Sequence, residues 1–332
     1  MGRNPELRSM ELLSHEVPKI NVSIGTAAVL GLTEVPMAVA PTTAYLMLGG
    51  RCLMNCAFCA QARESHASAL HLSRVTWPEY DLDAVVDRLV EATGQGSIRR
   101  ACLQVTVTAE SFDRALALVR VVKRAASIPF DVAILPHDLD EVQQLLDAGT
   151  DHIGFGLDAA CERVFQEVKG GSWARSLSLI QETASLFPDR AAVHLIVGLG
   201  ETEREMVQRI QWAQDLGVTV GLFAFTPLHG TDLVGRPPPP LTVYRRMQAA
   251  RWQIVHGRSR FEEMDFDERE QLISLGAPLL DRGKPFQKYG GPDCNRPFYN
   301  EQPSGPLYNY PRPLEAEEAE RAVREMELEE PC

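Results

Sequence analysis

No apolar run in this 332-residue chain approaches the roughly 20 residues that a membrane-spanning helix needs; Val218–Phe225 falls far short. Positive charge is also scarce, with 33 Lys and Arg against 45 Asp and Glu, a formal charge of −12. A chain this acidic repels phosphate backbones, which argues against nucleic acid as a partner. Residues 1–19 mix charges of both signs and lack the apolar core of a secretory signal, so a soluble, cytoplasmic protein is expected. No repeat of fixed period is visible. Cysteine is sparse, seven in all, and unevenly spread: three fall within eight positions, while Cys102, Cys161, Cys294 and Cys332 are scattered. A disulfide scaffold would distribute them through a short secreted chain, whereas a tight cluster favours metal binding.

What is present is an ordinary globular mixture, 45% hydrophobic and 23% charged, long enough for one large α/β domain or two smaller ones. From residue 43 to 257 strand-like and helix-like segments alternate. Thr43–Leu48, Ala101–Val107, Phe130–Leu135, Asp151–Leu157, Ala191–Val197 and Val218–Phe225 read as strands. Leu82–Ala92, Ser111–Ala126, Leu139–Leu146, Ser172–Leu186, Glu203–Leu216 and Leu241–Ile254 read as helices. Repeated βα units with short connections mean parallel strands and helical crossovers, in a TIM-like barrel, partial or complete, or a doubly wound sheet. One strand favours the barrel. In Ala101–Val107 apolar residues alternate with Cys102, Gln104 and Thr106, as a polar lumen requires; an edge strand facing water would alternate in the same way. The expected organisation is an N-terminal extension over 1–42, the barrel over 43–257, and an irregular cap over 258–332 that closes the barrel mouth. Within that cap, Leu314–Glu330 reads as a Glu-rich surface helix with a solvated face.

The densest chemical signal is Gly49-Gly50-Arg51-Cys52-Leu53-Met54-Asn55-Cys56-Ala57-Phe58-Cys59-Ala60, directly after the first predicted strand. Three thiolates in one loop suit three irons of a [4Fe–4S] cluster and leave the fourth iron open. Structural zinc prefers four ligands in two pairs, but His66 or His71 could complete such a set, so spacing alone leaves zinc open. The C-terminal end of a barrel strand is where TIM-like barrels place their active sites.

Cys52-x3-Cys56-x2-Cys59, with an aromatic at Phe58, resembles the signature of the radical S-adenosylmethionine (SAM) superfamily. That resemblance implies a [4Fe–4S] cluster held by Cys52, Cys56 and Cys59, whose open iron chelates SAM, and a 5′-deoxyadenosyl radical as the product of its reductive cleavage. The remainder of the barrel resembles the biotin synthase-like branch. Gly156-Leu157-Asp158 stands where that branch carries Asn-Leu-Asp, which implies a SAM contact for Asp158. Trp173-Ala174-Arg175-Ser176-Leu177 implies that Arg175 pairs with the SAM carboxylate. Ile196-Val197-Gly198-Leu199-Gly200-Glu201-Thr202 implies that the backbone near Ile196 and Gly198 approaches adenine. Phe58 is implied in the same cofactor site. Biotin synthase itself is disfavoured, because Ala192 stands where a cysteine ligand of its second cluster is expected.

The segment Gly290–Glu301 with Tyr308–Pro313 resembles the tails of two-component, archaeal-type lipoyl synthases. This implies sulfur insertion into an octanoyl chain on a lipoyl-domain carrier, with a paralogous radical SAM protein and an electron donor as partners. A sulfur source would then be needed, and Cys102, Cys161 and Cys294 are the candidate ligands of a second iron–sulfur cluster. The alternatives are a single-cluster mutase or methylase, or an iron–sulfur binding module without turnover.

Overall fold

The computed structural model describes residues 18–289, 294–297, 301 and 305–328. Among these, one eight-stranded sheet organises the molecule. Its strands are β1 (Lys19–Val22), β2 (Thr43–Leu48), β5 (Glu79–Asp81), β6 (Arg100–Val105), β7 (Phe130–Ala133), β8 (His152–Asp158), β9 (Ala191–Val197) and β10 (Thr219–Ala224). A two-stranded hairpin, β3 (His71–Leu72) and β4 (Val75–Thr76), stands outside it. From β2 through β6 to β10 every neighbouring pair is parallel. The crossovers are right for a barrel: α2 (Leu82–Gly94), α3 (Ser111–Ala125), α4 (Leu139–Asp147), α5 (Glu162–Val168) with α6 (Trp173–Leu186), and α7 (Glu203–Asp215). A short α1 (Ile24–Val29) precedes β2, α8 (Leu241–Val255) follows β10, and α9 (Ala316–Arg324) lies near the end. The architecture is a partial TIM-like barrel.

Local sequence explains the helix starts. Asp138 caps α4 by accepting the Glu141 N–H, Ser172 caps α6, and Thr202 with Glu205 forms a reciprocal box on α7. Strand periodicity explains the layers. Along β9, Val193 and Leu195 are buried among helices while His194 and Ile196 face the lumen. On β6, Ala101 and Leu103 are likewise in the helix-facing core, and Gln104 opens into the lumen. The polar alternation in that strand therefore belongs to a barrel interior. Leu118, Val119 and Val122 of α3 and Met206, Val207 and Ile210 of α7 complete the outer core. Each such side chain contributes roughly 1.5–3 kcal/mol of burial.

Two features depart from the sequence reading. The sheet begins before residue 43, because β1 pairs antiparallel with both β2 and β5. These strands are four and three residues long, too short to show a period. The Glu-rich helix is also more than a solvated face. Ala322 is fully buried, and Glu325 just beyond α9 pairs with Arg245 of α8 at 2.8 Å.

The C-terminal segment runs along the side where the parallel strands do not close. Lys288 donates to the Leu222 carbonyl on β10 at 3.1 Å and sits 3.6 Å from the Phe223 ring centre. Farther along, Cys294 Sγ lies 3.3 Å from the Tyr45 hydroxyl on β2, which also accepts the Arg296 N–H. Helix α8 holds this segment: Arg245 donates to the carbonyls of Leu307 and Tyr308, at 2.5 and 2.7 Å. Arg246, beside it, pairs bidentately with Glu203 of α7. No helix among the described residues is long and apolar enough to cross a membrane.

Candidate active site

A cavity of about 270 Å³ opens at the C-terminal ends of the parallel strands. Cys52, Cys56 and Cys59 all line it, on a loop that is pinned at several points. The Arg51 guanidinium donates to the carbonyls of Ala60 and Ala67, at 2.9 and 2.7 Å. Gln61 spans to Ala69 and His71 through its amide nitrogen. Gly50 enters the loop at φ +125°, a backbone region closed to most side chains. Cys52 Sγ accepts the N–H groups of Met54 and Val107, and Cys59 Sγ that of Gln61. Burial pushes Cys56 up to about 12 and Cys59 to about 11, so the thiols are protonated until a metal takes their protons.

The three sulfurs share a cavity but not a point. Among the described residues no three His, Cys, Asp or Glu side chains are gathered to hold a single metal ion. A cubane cluster takes each of three thiolates on a different iron, as three cysteines of one loop facing one cavity allow. His66 and His71 do not line the cavity. The donor set therefore fits a [4Fe–4S] cluster.

Asp158 lines the same cavity from the end of β8, where a register shift places it at φ +65°. Its carboxylate meets Lys169 Nζ at 2.6 Å, and Lys169 also donates to the Gly156 carbonyl. Burial alone would lower the Lys169 pKa; Asp158 and Cys56 oppose it, and the net direction is upward. The pair is thus a buried, charged couple beside the thiols. Phe58 and Ile196 line the cavity as well. His194 lies on the wall with its ring edge-on to Phe223 at 5.4 Å, and burial pushes it down to about 4, leaving it neutral.

Two sequence candidates fall outside this wall. Arg175 is exposed, and its guanidinium donates to the His137 carbonyl at 2.8 Å. It sits in the first turn of α6 and is not among the residues that line the cavity. Gly198 adopts φ +102°, where an added Cβ would come within 2.9 Å of Pro239. Its N–H is directed to Glu201 Oε1 at 2.6 Å, so this motif folds onto its own carboxylate.

The remaining cysteines divide. Cys102 and Cys294 both pack against the buried cluster of Tyr45, Met47 and Trp77. Cys102 takes a hydrogen bond from Gln104 Nε2 at 3.1 Å, and burial pushes its thiol up to about 12. Cys161 does not join them. It is the N-cap of α5, next to Glu205 and Arg163, because the chain turns outward there to begin a helix. The three-cysteine set expected for a second cluster is therefore not assembled: Cys102 and Cys294 are two thiols side by side with the Tyr45 cluster where three were expected. Cys332 and residues 290–293 and 298–300 lie outside the described residues.

Lys169, His194, Tyr45 and Arg296 were not singled out from sequence. His194 had a signal, since it shares the lumen parity of Ile196. Lys169 had none, because it follows a helix and precedes Gly170-Gly171.

The profile described as the Radical SAM superfamily matches residues 46–213, half of the chain. A biotin synthase from Pelotomaculum thermopropionicum is 26% identical over 214 residues, which cover 62% of this chain and 63% of that protein. The match thus spans less than two thirds of that relative. The crystal structure of HydG, a maturase of the [FeFe]-hydrogenase, superposes with a TM-score of 0.52 at 12% identity, covering 77% of this chain and 65% of that one. Methylornithine synthase (PylB) gives 0.51 at 12% identity, covering 77% and 71%. At such identities these likenesses show a shared fold.

Proposed function

The chain belongs to the radical SAM superfamily, and from that premise we propose that it inserts sulfur into an unactivated carbon of a protein-bound octanoyl chain. The observation that carries the radical part is the set of three loop thiols on one cavity with the Asp158–Lys169 couple beside them. Cys52, Cys56 and Cys59 would hold the [4Fe–4S] cluster. When bound, cluster and SAM would supply a 5′-deoxyadenosyl radical able to take a hydrogen atom from an aliphatic carbon.

The chain's own groups do the rest. Lys169 and Arg296 are the cations on this wall, and Lys169, beside the loop thiols, takes the pairing that resemblance gave to Arg175. Asp158 offers a carboxylate to an amino group or a ribose hydroxyl. Neutral His194, with Gln104 and Thr106, supplies hydrogen bonds without adding charge. Met47, Phe223 and Leu228 form the apolar part of the wall and keep water from a radical.

Sulfur chemistry rests on Cys102 and Cys294, the thiols gathered around Tyr45. The carrier would be an octanoylated lipoyl domain, with a paralogous radical SAM protein for the second carbon and an electron donor for the cluster. The outward position of Cys161 favours a second reading, a single-cluster radical enzyme such as a mutase or methylase.

Two measurements test this. Anaerobically reconstituted protein mixed with SAM and reductant releases 5′-deoxyadenosine, and replacing Cys52, Cys56 and Cys59 together with Ala abolishes it. Continued release by the triple variant overturns the radical assignment. An octanoylated lipoyl-domain peptide incubated with the protein gains sulfur by mass spectrometry; a modified peptide without sulfur selects the single-cluster reading.

A further inference from the structure

A second cavity, about 360 Å³, lies beside the first between the 35–41 loop and the strand–loop segment around Trp77. Its wall is largely apolar, with Ile24, Val35, Met37, Val39 and Trp77. Among the described residues the charged side chains on it are Arg74 and Arg296, with no Asp or Glu. Val35 and Met37 at its outer lip are large apolar residues left 36% and 38% exposed.

The two cavities are adjacent through one residue. Arg296 lines both, and its guanidinium lies 5.0 Å from the ring centre of Tyr45 and 5.7 Å from that of Phe223. Tyr45 belongs to the second cavity and Phe223 to the first. The β3–β4 hairpin divides the spaces in the same manner, with Leu72 and Ser73 on the first side and Arg74 and Val75 on the second. A ligand reaching from the second cavity into the first therefore passes Tyr45 and Arg296.

We infer that the second cavity is the channel that seats the acyl chain of a carrier-bound substrate, with its carbonyl end near Arg74 and its tail directed past Arg296 toward the thiol-lined cavity. The inference rests on the octanoyl reading above and names where that chain is held. An apolar wall selects hydrocarbon by excluding water from it. A sugar or nucleotide would need several convergent donors and acceptors, and this wall supplies few. The two guanidinium charges, Arg74 and Arg296, suit a carbonyl and disfavour a cationic ligand. The direction also has a chemical consequence: carbons near the far end of the chain lie by the loop thiols, while the carrier stays outside.

The test uses the full-length, reconstituted protein and octanamide probes, and it is read as binding rather than turnover. Octanamide bearing a diazirine on the carbon next to its carbonyl is irradiated with the protein and the labelled peptides are mapped. Label is expected in 35–41 and in 74–77. Equilibrium dialysis of radiolabelled octanamide should show at least tenfold weaker binding to Met37→Glu, a change at an exposed position that the fold tolerates. Leu186→Glu, at a remote and 60% exposed apolar position, should bind as the unmodified protein does. Label confined to other surfaces, or equal binding by Met37→Glu, overturns the channel. Label in the 35–41 loop that is competed away by an apolar peptide but not by octanamide assigns the groove to a protein partner and also overturns it. Absence of 5′-deoxyadenosine with the binding result intact would instead overturn the radical reading alone.

Discussion

His194 carries a pH dependence that can be measured. Burial is the main cause of its depressed pKa, Asp158 favours its charged form, and Arg296, Lys288 and Lys169 oppose it. The folded protein therefore resists protonation until the pH reaches about 4, whereas the unfolded chain takes up the proton near 6.5. Its contribution to stability is complete above pH 6.5 and falls away as the pH drops toward 4. At pH 5 the loss is about 2 kcal/mol. Urea unfolding at pH 7.5 and pH 5 should show that difference in the unmodified protein and not in His194→Gln, other titrations being common to both. Residues differ in how far sequence exposes them. The cysteine loop declares itself by spacing, and His194 follows from strand parity. Lys169 does not, because its partner Asp158 is presented by a left-handed residue at a strand end, a backbone detail that no periodicity encodes.

Helix α8 is the element that holds the C-terminal segment to the barrel, and it does so with charge in a buried place. Arg245 is 1% exposed and serves two carbonyls and the Glu325 carboxylate. Arg245→Ala removes the donor to the Leu307 carbonyl and the Glu325 carboxylate and leaves the Tyr308 carbonyl to Gln248 Nε2 alone, and the expected cost is about 3 kcal/mol. A guanidinium chloride midpoint shift measures it; a loss below about 1 kcal/mol would mean that water replaces the arginine. The alternating strands and helices of the barrel were legible, with bounds within about two residues for most, because each strand has a helix-facing apolar parity. The antiparallel strands β1 and β5 were not, being too short for a pattern. The role of α9 was hidden for a different reason: a Glu-rich composition marks solvation on average, yet one carboxylate at its end meets a buried guanidinium.

For the molecule as a whole, the parallel sheet ends at β10 on one side and continues into the antiparallel β1 and β5 on the other. Phe286 and Tyr310 of the C-terminal segment are almost wholly buried against this body, so they belong to its core. A chain cut after Gly283 would uncover that apolar surface and leave Arg245 inside without the Leu307 and Tyr308 carbonyls. Strong binding of anilinonaphthalene sulfonate at neutral pH is expected, together with loss of a cooperative thermal transition. Retention of a sharp transition would show that residues 19–283 fold by themselves.

The pairing of Tyr45 with Cys294 spans 249 residues of sequence. A ribosome adds about 5–20 residues per second, so the two groups emerge on the order of ten to fifty seconds apart. The cysteine loop at residues 52–59 is made early, soon after Tyr45. Throughout that interval the inner wall beside it has no cover, and the order of synthesis leaves the thiols approachable before the last segment seals the side of the barrel.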